Sequence, residues 1–185
     1  MTGPSPILTW RVAWAQIPTD GLDVTLSATP AERAALAAAY DLVEVKALTF
    51  SATLTGDAKG RVSVDGRLAA DLVQSCGVTL VPVDQRIDEP VLVRFVGADS
   101  PERPKPPKPG AEVVIKADEP DPPEILGGPW VDLGAVAEEH FVLAIDPYPR
   151  APGAELPAEA AAPPTERDSP FAPLVGIATR PTAKR

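Results

Sequence analysis

Cysteine and histidine are almost missing from this chain, which has one residue of each among its 185. A single cysteine cannot form an internal disulfide bond, and structural zinc sites are built from sets of cysteine and histidine ligands. We therefore expect a protein of a reducing compartment that holds no metal ion and needs no cofactor.

Positive charge and long apolar runs are also scarce. Lys and Arg number 17 against 26 Asp and Glu, which gives a formal net charge of −9 with the histidine neutral. This balance argues against a broad nucleic-acid coat, because non-specific affinity for RNA or DNA comes from cationic side chains. No stretch approaches the roughly 18 to 20 apolar residues of a membrane span, and residues 1–18 lack the pattern of a secretory signal. We expect a cytoplasmic protein without membrane contact.

The sequence motifs of the common enzyme classes do not occur either. There is no glycine-rich phosphate loop, dinucleotide fingerprint, nucleophile elbow or zinc-binding helix, so we expect no catalytic activity and no small-molecule substrate. His140 is read as a partly exposed helical residue, and its neighbours Glu138 and Glu139 as a solvated acidic face, because adjacent helical residues point about 100° apart. Cys76 is read as a small buried side chain, without a cation nearby in the sequence to lower its pKa.

Proline divides the chain into two parts. Residues 1–100 hold 6 of the 24 prolines and residues 101–185 hold the other 18. Each proline removes an N–H donor and restricts the preceding residue, so proline-dense segments form neither helices nor sheet ladders. The pattern predicts a single domain over 1–150 with a proline-rich loop at 99–123. A disordered tail is predicted over 151–185, with a short apolar motif at 169–177.

Alternating apolar and polar residues predict the strands. Residues 48–54 and 62–72 alternate on either side of a turn at 56–60, which indicates a long hairpin with Gly66 as a bulge or bend. A second hairpin is predicted from 76–83 paired with 87–96, whose last residues are apolar enough for cover on both faces. A strand at 9–16 is expected to join the same sheet.

Two helices are predicted from their capping signals. Thr29 to Glu32 forms a capping box with Pro30 in the first turn, and the helix over 31–40 presents an apolar stripe of Leu36, Ala39, Tyr40 and Val43. Asp132 is an N-cap for a second helix that runs to about Ile145, with a stripe of Leu133, Val136, His140, Leu143 and Ala144. The expected fold class is α+β, with an antiparallel sheet of long hairpins and two helices packed on one face.

Three segments in order resemble one family. They are residues 73–82 (VQSCGVTLVP), residues 125–150 with the helix ending LAIDPYP, and residues 169–174 (SPFAPL). Together they are similar to the YceD family, bacterial proteins with plastid relatives that are associated with accumulation of large-subunit ribosomal RNA. The resemblance spans about 42–98 and 124–175, and its motif positions are Cys76, Leu80 and Pro82 in the first segment and Ser169, Pro170, Phe171 and Leu174 in the tail. Many members carry Cys-x-x-Cys, but Thr79 replaces the second cysteine here, so no metal role is carried over.

The resemblance implies a non-enzymatic ribosome-biogenesis factor that supports synthesis or accumulation of large-subunit rRNA. An acidic surface fits a basic ribosomal or assembly protein better than bare RNA. The tail residues Ser169, Pro170, Phe171 and Leu174 are candidate partner-binding residues. They bind a partner in one hypothesis and fold back onto their own domain in the other.

The alternative hypothesis is an RNA-binding module that contacts rRNA directly. A local basic patch would come from Lys59, Arg61, Arg67 and Arg86 around the hairpins. Bases would have to stack on Phe50, Trp10 or Trp14, since only nine aromatic residues occur in the chain.

Overall fold

The computed structural model describes residues 6–57, 60–104 and 122–156. The chain separates into two compact units, one at Met1–Ala151 and one at Pro152–Arg185. The first unit contains all the helices and strands of the described ranges: β1 (Arg11–Ala13), a 3-10 turn (Trp14–Gln16), β2 (Leu22–Ser27), α1 (Pro30–Ala39), β3 (Glu44–Gly56), β4 (Arg61–Ser75), β5 (Pro82–Val96), β6 (Glu124–Ile125), β7 (Trp130–Asp132) and α2 (Leu133–Ala144). In the second unit the description covers residues 152–156 alone.

The main sheet has five strands in the order β2-β3-β4-β5-β6. Every neighbouring pair is antiparallel except β5 and β6, which are parallel. β1 and β7 form a separate two-stranded antiparallel ladder. The mostly antiparallel sheet with two helices confirms the α+β fold class.

The long first hairpin is confirmed as β3 and β4. The Asp57 carboxylate accepts the Arg61 backbone N–H at 3.0 Å at the base of its turn. The second hairpin is corrected, because β4 itself pairs with β5 and the chain turns at 76–81 rather than near 84–86. Leu80 has a φ of 62°, which allows the reversal at a position with no glycine to signal it.

Gly66 is not a bulge, since it lies in continuous register between Ala52 and Val91. A Cβ atom at Gly66 would lie 2.6 Å from the Ser51 carbonyl oxygen, so close packing explains the glycine. The irregularity in this ladder falls instead at Val45–Ala47. Cover on both faces of residues 91–96 is also wrong for Leu92, which is 67% exposed.

The N-terminal strand is shorter than predicted and lies elsewhere. β1 pairs with β7 and does not join the main sheet. The Leu133 N–H donates to the Trp10 carbonyl oxygen at 2.8 Å, which ties this ladder to the start of α2. One edge of the main sheet is formed by β2, a strand that the sequence analysis does not predict.

Both helices are confirmed, with bounds within one residue of prediction. The capping box of α1 is complete, because Thr29 accepts the Glu32 N–H and the Glu32 carboxylate accepts the Thr29 N–H. The Asp132 carboxylate caps α2 by accepting the Ala135 N–H at 3.2 Å.

One face of the sheet is covered, and the core lies there. α1 packs mainly on β3, and α2 packs on β4, β5 and β1. The predicted stripe of α1 narrows to Leu36 and Tyr40, since Ala39 and Val43 are exposed. On α2, Leu143 is 75% exposed because the helix presents Phe141 to the core instead. The largest fully buried side chains are Phe50, Phe141, Leu8, Leu36, Leu48, Leu54, Leu68, Leu72 and Leu133.

Neither α1 nor α2 has the length and apolar character needed to cross a bilayer.

Candidate functional site

The motif positions Cys76, Leu80 and Pro82 lie together at the turn between β4 and β5. The Cys76 N–H donates to the Val81 carbonyl oxygen at 2.8 Å, and the Leu80 N–H donates to the Cys76 carbonyl oxygen at 2.9 Å. Pro82 then opens β5 opposite Ser75. These two hydrogen bonds close a compact turn, which we call the Cys76–Pro82 turn.

The sulfur of Cys76 is surrounded by hydrogen-bond donors. It accepts the backbone N–H groups of Val78 at 3.4 Å, Thr79 at 3.4 Å and Ala151 at 3.3 Å. The hydroxyl of Thr79 first, and then these N–H groups, lower the pKa of the buried Cys76 thiol to about 6. Burial was expected, but the lowered pKa was not, because its cause is backbone and hydroxyl donors rather than a cation.

The outside of this turn is apolar. Leu80 is 77% exposed and Val81 is 45% exposed. The neighbouring segment is held by the Gly77 N–H, which donates to the Pro149 carbonyl oxygen at 2.9 Å, and it carries Tyr148 with 80% of its surface exposed. Exposed apolar side chains on a tightly bonded turn are suited to protein contact.

Glu138 is buried, which corrects the prediction of a solvated acidic face. Its carboxylate accepts the N–H groups of Ile7 at 2.6 Å and Leu8 at 3.0 Å, and the Tyr40 hydroxyl at 2.7 Å. Burial first, and then this carboxylate, raise the pKa of Tyr40 to about 12. Glu138 therefore joins the N-terminal segment, α1 and α2, while Glu139 is exposed as predicted.

His140 is partly exposed on α2, as predicted. Its charge lies near enough to Glu124 to oppose the rise in the pKa of that carboxyl, which burial and the charge of Glu139 cause.

The uncovered face of the sheet bears polar side chains. On β2 and β3 they are hydroxyl groups and one carboxylate that meet across the ladder, as in Thr25 with Ser51, Ser27 with Thr49, and Thr53 with Asp23. On β4 and β5 they include the cross-strand ion pair of Arg67 with Asp88, and the exposed Leu92 lies on the same face. Such a face is hydrated and offers no aromatic platform within the described strands.

The predicted basic patch is largely neutralised. Arg61 pairs with Asp57 and Glu102, and Arg67 pairs with Asp88. Arg67 chiefly, and Arg86 to a lesser extent, lower the pKa of Asp88. Lys59 lies outside the described residues.

The three aromatic residues predicted to stack on RNA bases differ in their exposure to solvent. Phe50 is fully buried because it faces the core between β2 and β4, so it cannot stack on a base. Trp10 is partly buried against the core, and Trp14 is 38% exposed. The hydroxyl-rich open face carries none of the three.

A cleft and a groove are among the concave surfaces elsewhere on the first unit. A cleft of about 340 Å³ at the end of the sheet is lined by Arg61, Asp57 and Glu102, whose charges already satisfy one another. An apolar groove of about 750 Å³ runs between α1 and α2 past Tyr40 and Leu143.

The tail motif cannot be placed in the fold. Ser169, Pro170, Phe171 and Leu174 lie outside the described residues, as do most of the predicted loop at 99–123 and most of the predicted tail.

The signal that sequence reasoning missed is the alternation of Leu22, Val24 and Leu26 with polar residues, which marks β2.

Comparison with known families gives one match. The family model described as "Large ribosomal RNA subunit accumulation protein YceD" matches residues 64–175. The matched range begins in β4 and includes the Cys76–Pro82 turn, β5 and α2. No curated protein and no solved structure matches the chain.

Proposed function

Since this chain belongs to the YceD family over residues 64–175, we propose that it is a non-enzymatic ribosome-biogenesis factor. It supports the accumulation of large-subunit rRNA by binding a basic ribosomal or assembly protein. The family match is the observation that carries the link to large-subunit rRNA, and the charge and surface of the chain favour a protein as the direct partner.

The charge distribution supports a basic protein partner over RNA. The chain carries a formal net charge of −9, and Arg61 and Arg67 of the open sheet face are each paired with a carboxylate. Neutralised arginines release no counterions from a phosphate backbone. Complementary charge instead speeds encounter with a basic protein and disfavours acidic partners.

The apolar surface of the Cys76–Pro82 turn supports the same proposal. Leu80 adopts a left-handed φ of 62° that is unfavourable for a leucine, and the turn nevertheless leaves this side chain 77% exposed. An exposed apolar side chain on a strained backbone gains nothing for folding. Contact with another protein gives it a role.

The experiment is depletion of the protein from its host, followed by measurement of the ratio of large-subunit to small-subunit rRNA. We expect the ratio to fall on depletion and to recover with the wild-type chain. An unchanged ratio would rule the proposal out. The recovery experiment is repeated with Leu80→Ser, which changes the Cys76–Pro82 turn. Leu92→Ser is its matched control, because Leu92 is also exposed but lies on the open sheet face.

Direct RNA binding is separated by titration with a large-subunit rRNA fragment at two salt concentrations. A phosphate-driven complex weakens steeply as salt rises, with a slope set by the number of phosphates contacted. We expect no saturable binding at physiological salt. Saturable binding with a steep salt dependence would favour the RNA-binding module instead.

A further inference from the structure

We propose that the free edge of β2 is a strand-addition site that takes an extended basic segment of a protein partner. The inference rests on the proposed function, because it assigns a place and a chemistry to the contact with a basic protein. Among the residues that the structure describes, β2 has β3 on one side and no strand on the other.

The ladder between β2 and β3 shows which backbone groups face the free edge. The Ala28 N–H donates to the Leu48 carbonyl oxygen at 2.9 Å, and the register continues from Ser27 opposite Thr49. Because hydrogen-bonded and non-hydrogen-bonded pairs alternate in an antiparallel ladder, the even-numbered residues of β2 bond to β3. The N–H and C=O groups of Asp23, Thr25 and Ser27 therefore point away from the sheet.

The side chains of β2 are suited to an added strand. Leu22, Val24 and Leu26 face the core side of the sheet but are only partly buried, since α1 lies mainly over β3. A further strand beside β2 would cover these three side chains while its backbone pairs with the free N–H and C=O groups. This combination of backbone pairing and alternate side-chain contacts is the mode of β-strand addition.

The opposite edge of the sheet lacks this capacity. The Cys76 N–H bonds to Val81, so the even-numbered residues of β5 face outward up to the point where β6 pairs. From Pro82 to the start of the β6 pairing, two of these are prolines without an N–H, four are charged and one is apolar: Pro82, Pro90, Asp84, Arg86, Asp88, Arg94 and Leu92. Proline and charge are the usual protections of an edge strand. β2 has no proline and one charged residue.

Two acidic residues at this edge indicate which partner fits it. Asp23 lies on β2 and Asp20 lies just before it, and both are exposed. A second copy of this chain would bring its own Asp20 and Asp23 to the same edge and place carboxylates near carboxylates. An extended segment with cationic side chains beside apolar ones complements both the acidic residues and the half-buried stripe.

The probe is a seven-residue peptide in which Lys and Val alternate, titrated against the full chain. Thr25→Pro removes an outward N–H and leaves the β2–β3 hydrogen bonds in place. Arg86→Pro is the matched control at the opposite edge, and Thr25→Val keeps the N–H. We expect Thr25→Pro to weaken binding by about tenfold or more, and the two controls to change it by less than about twofold.

Equal binding by wild type and Thr25→Pro would overturn the proposal, as would failure of the wild type to bind the peptide. If Thr25→Pro does not fold, amide hydrogen exchange of the wild-type chain decides. We expect the Thr25 and Ser27 amides to exchange more slowly when the peptide is added. Unchanged exchange, or protection that depends on protein concentration without peptide, contradicts the basic-segment occupant.

The two proposals fail in different ways. If Thr25→Pro restores the rRNA ratio in depleted cells, the proposed strand-addition site is refuted and the proposed function stands. If the rRNA ratio does not fall on depletion, the proposed function is refuted. The peptide titration and the exchange measurement then still decide whether the β2 edge accepts a strand.

Discussion

Backbone N–H groups donate to two buried side chains in this protein. The Cys76 sulfur accepts three of them, and the Glu138 carboxylate accepts those of Ile7 and Leu8. Neither environment contains a paired cation that the structure describes. Hydrogen-bond donors aimed at the Cys76 sulfur favour its negatively charged form in the same way as a positive side chain does.

The hydroxyl of Thr79 makes the largest contribution to the lowered pKa of Cys76. We expect Thr79→Val to raise this pKa from about 6 toward the ordinary thiol value of 9.0, and Thr79→Ser to leave it low. The measurement is the NMR shift of the cysteine β-carbon as a function of pH. A Thr79→Val protein that still titrates near the wild-type value would contradict the assignment.

The same lowered pKa makes folding stability depend on pH. A thiol whose pKa falls on folding contributes stability above its unfolded pKa and loses that contribution as pH falls through the folded value. The contribution of Cys76 is therefore present above about pH 9 and disappears toward about pH 6. The stability lost in Cys76→Ala is expected to follow that trend.

The pH dependence of stability that Tyr40 contributes has the opposite sign. Its pKa is raised to about 12 by burial and by Glu138, so its neutral form is favoured in the folded state and its contribution is lost as pH rises from 10.0 toward about 12. We expect Tyr40→Phe to be less stable than wild type at neutral pH, and the difference to shrink above pH 10. Denaturant unfolding at matched pH values measures it. A difference that grows with pH would show that the hydroxyl does not serve as the donor to Glu138.

At the scale of whole elements, β3 and β4 lie close together at Gly66. Gly66 lies in the middle of β4, and a Cβ there would approach the Ser51 oxygen to 2.6 Å and the Ala52 Cβ to 2.7 Å. By contrast, among the residues that the structure describes, no atom beyond the two chain neighbours lies within 4 Å of a Cβ built at Gly97, just after β5. The two glycines thus differ in packing while sharing an ordinary φ.

Gly66→Ala should therefore destabilise the fold by about 1 to 3 kcal/mol, the usual range for an overpacked site. Gly97→Ala is its control and should stay within about 0.5 kcal/mol of wild type. Chemical denaturation of both variants gives the comparison. Equal stability of the two would mean that β3 and β4 separate more easily than their register implies.

Elements with a local signal were predictable from the sequence. The capping box at Thr29 placed α1, Asp132 placed α2, and the alternation on either side of residues 56–60 placed β3 and β4. The reversal at Leu80 was not predictable, because its left-handed φ occurs at a residue that rarely adopts one. The burial of Glu138 depends on partners at sequence separations of 130 and 131 residues, which no local pattern encodes.

At the scale of the whole molecule, a folded unit is followed by a tail whose role is a prediction. Phe171 and Leu174 lie beyond the described residues, and either a partner or the chain's own domain would bury them. Binding to a partner and docking on the chain's own domain require the same apolar side chains. The two hypotheses therefore differ only in whether the tail stabilises a complex or the fold of its own domain.

Replacement of Phe171 and Leu174 by Ala separates these hypotheses. If the tail binds a partner, the complex loses two apolar anchors worth roughly 1.5 to 3 kcal/mol each, and the thermal midpoint of the free protein is unchanged. If the tail docks on its own domain, the midpoint falls by several degrees, at roughly 2 to 8 °C per kcal/mol. A normal midpoint with undiminished partner recovery would refute both hypotheses.

Affinity recovery of the full-length protein from its host, with and without nuclease and followed by mass spectrometry, tests the central claim most directly. We predict that a basic ribosomal or assembly protein remains bound after nuclease treatment, and that an acidic-to-neutral change at Asp20 and Asp23 reduces its recovery. Loss of every partner after nuclease would contradict the claim and leave RNA as the molecule that this protein binds.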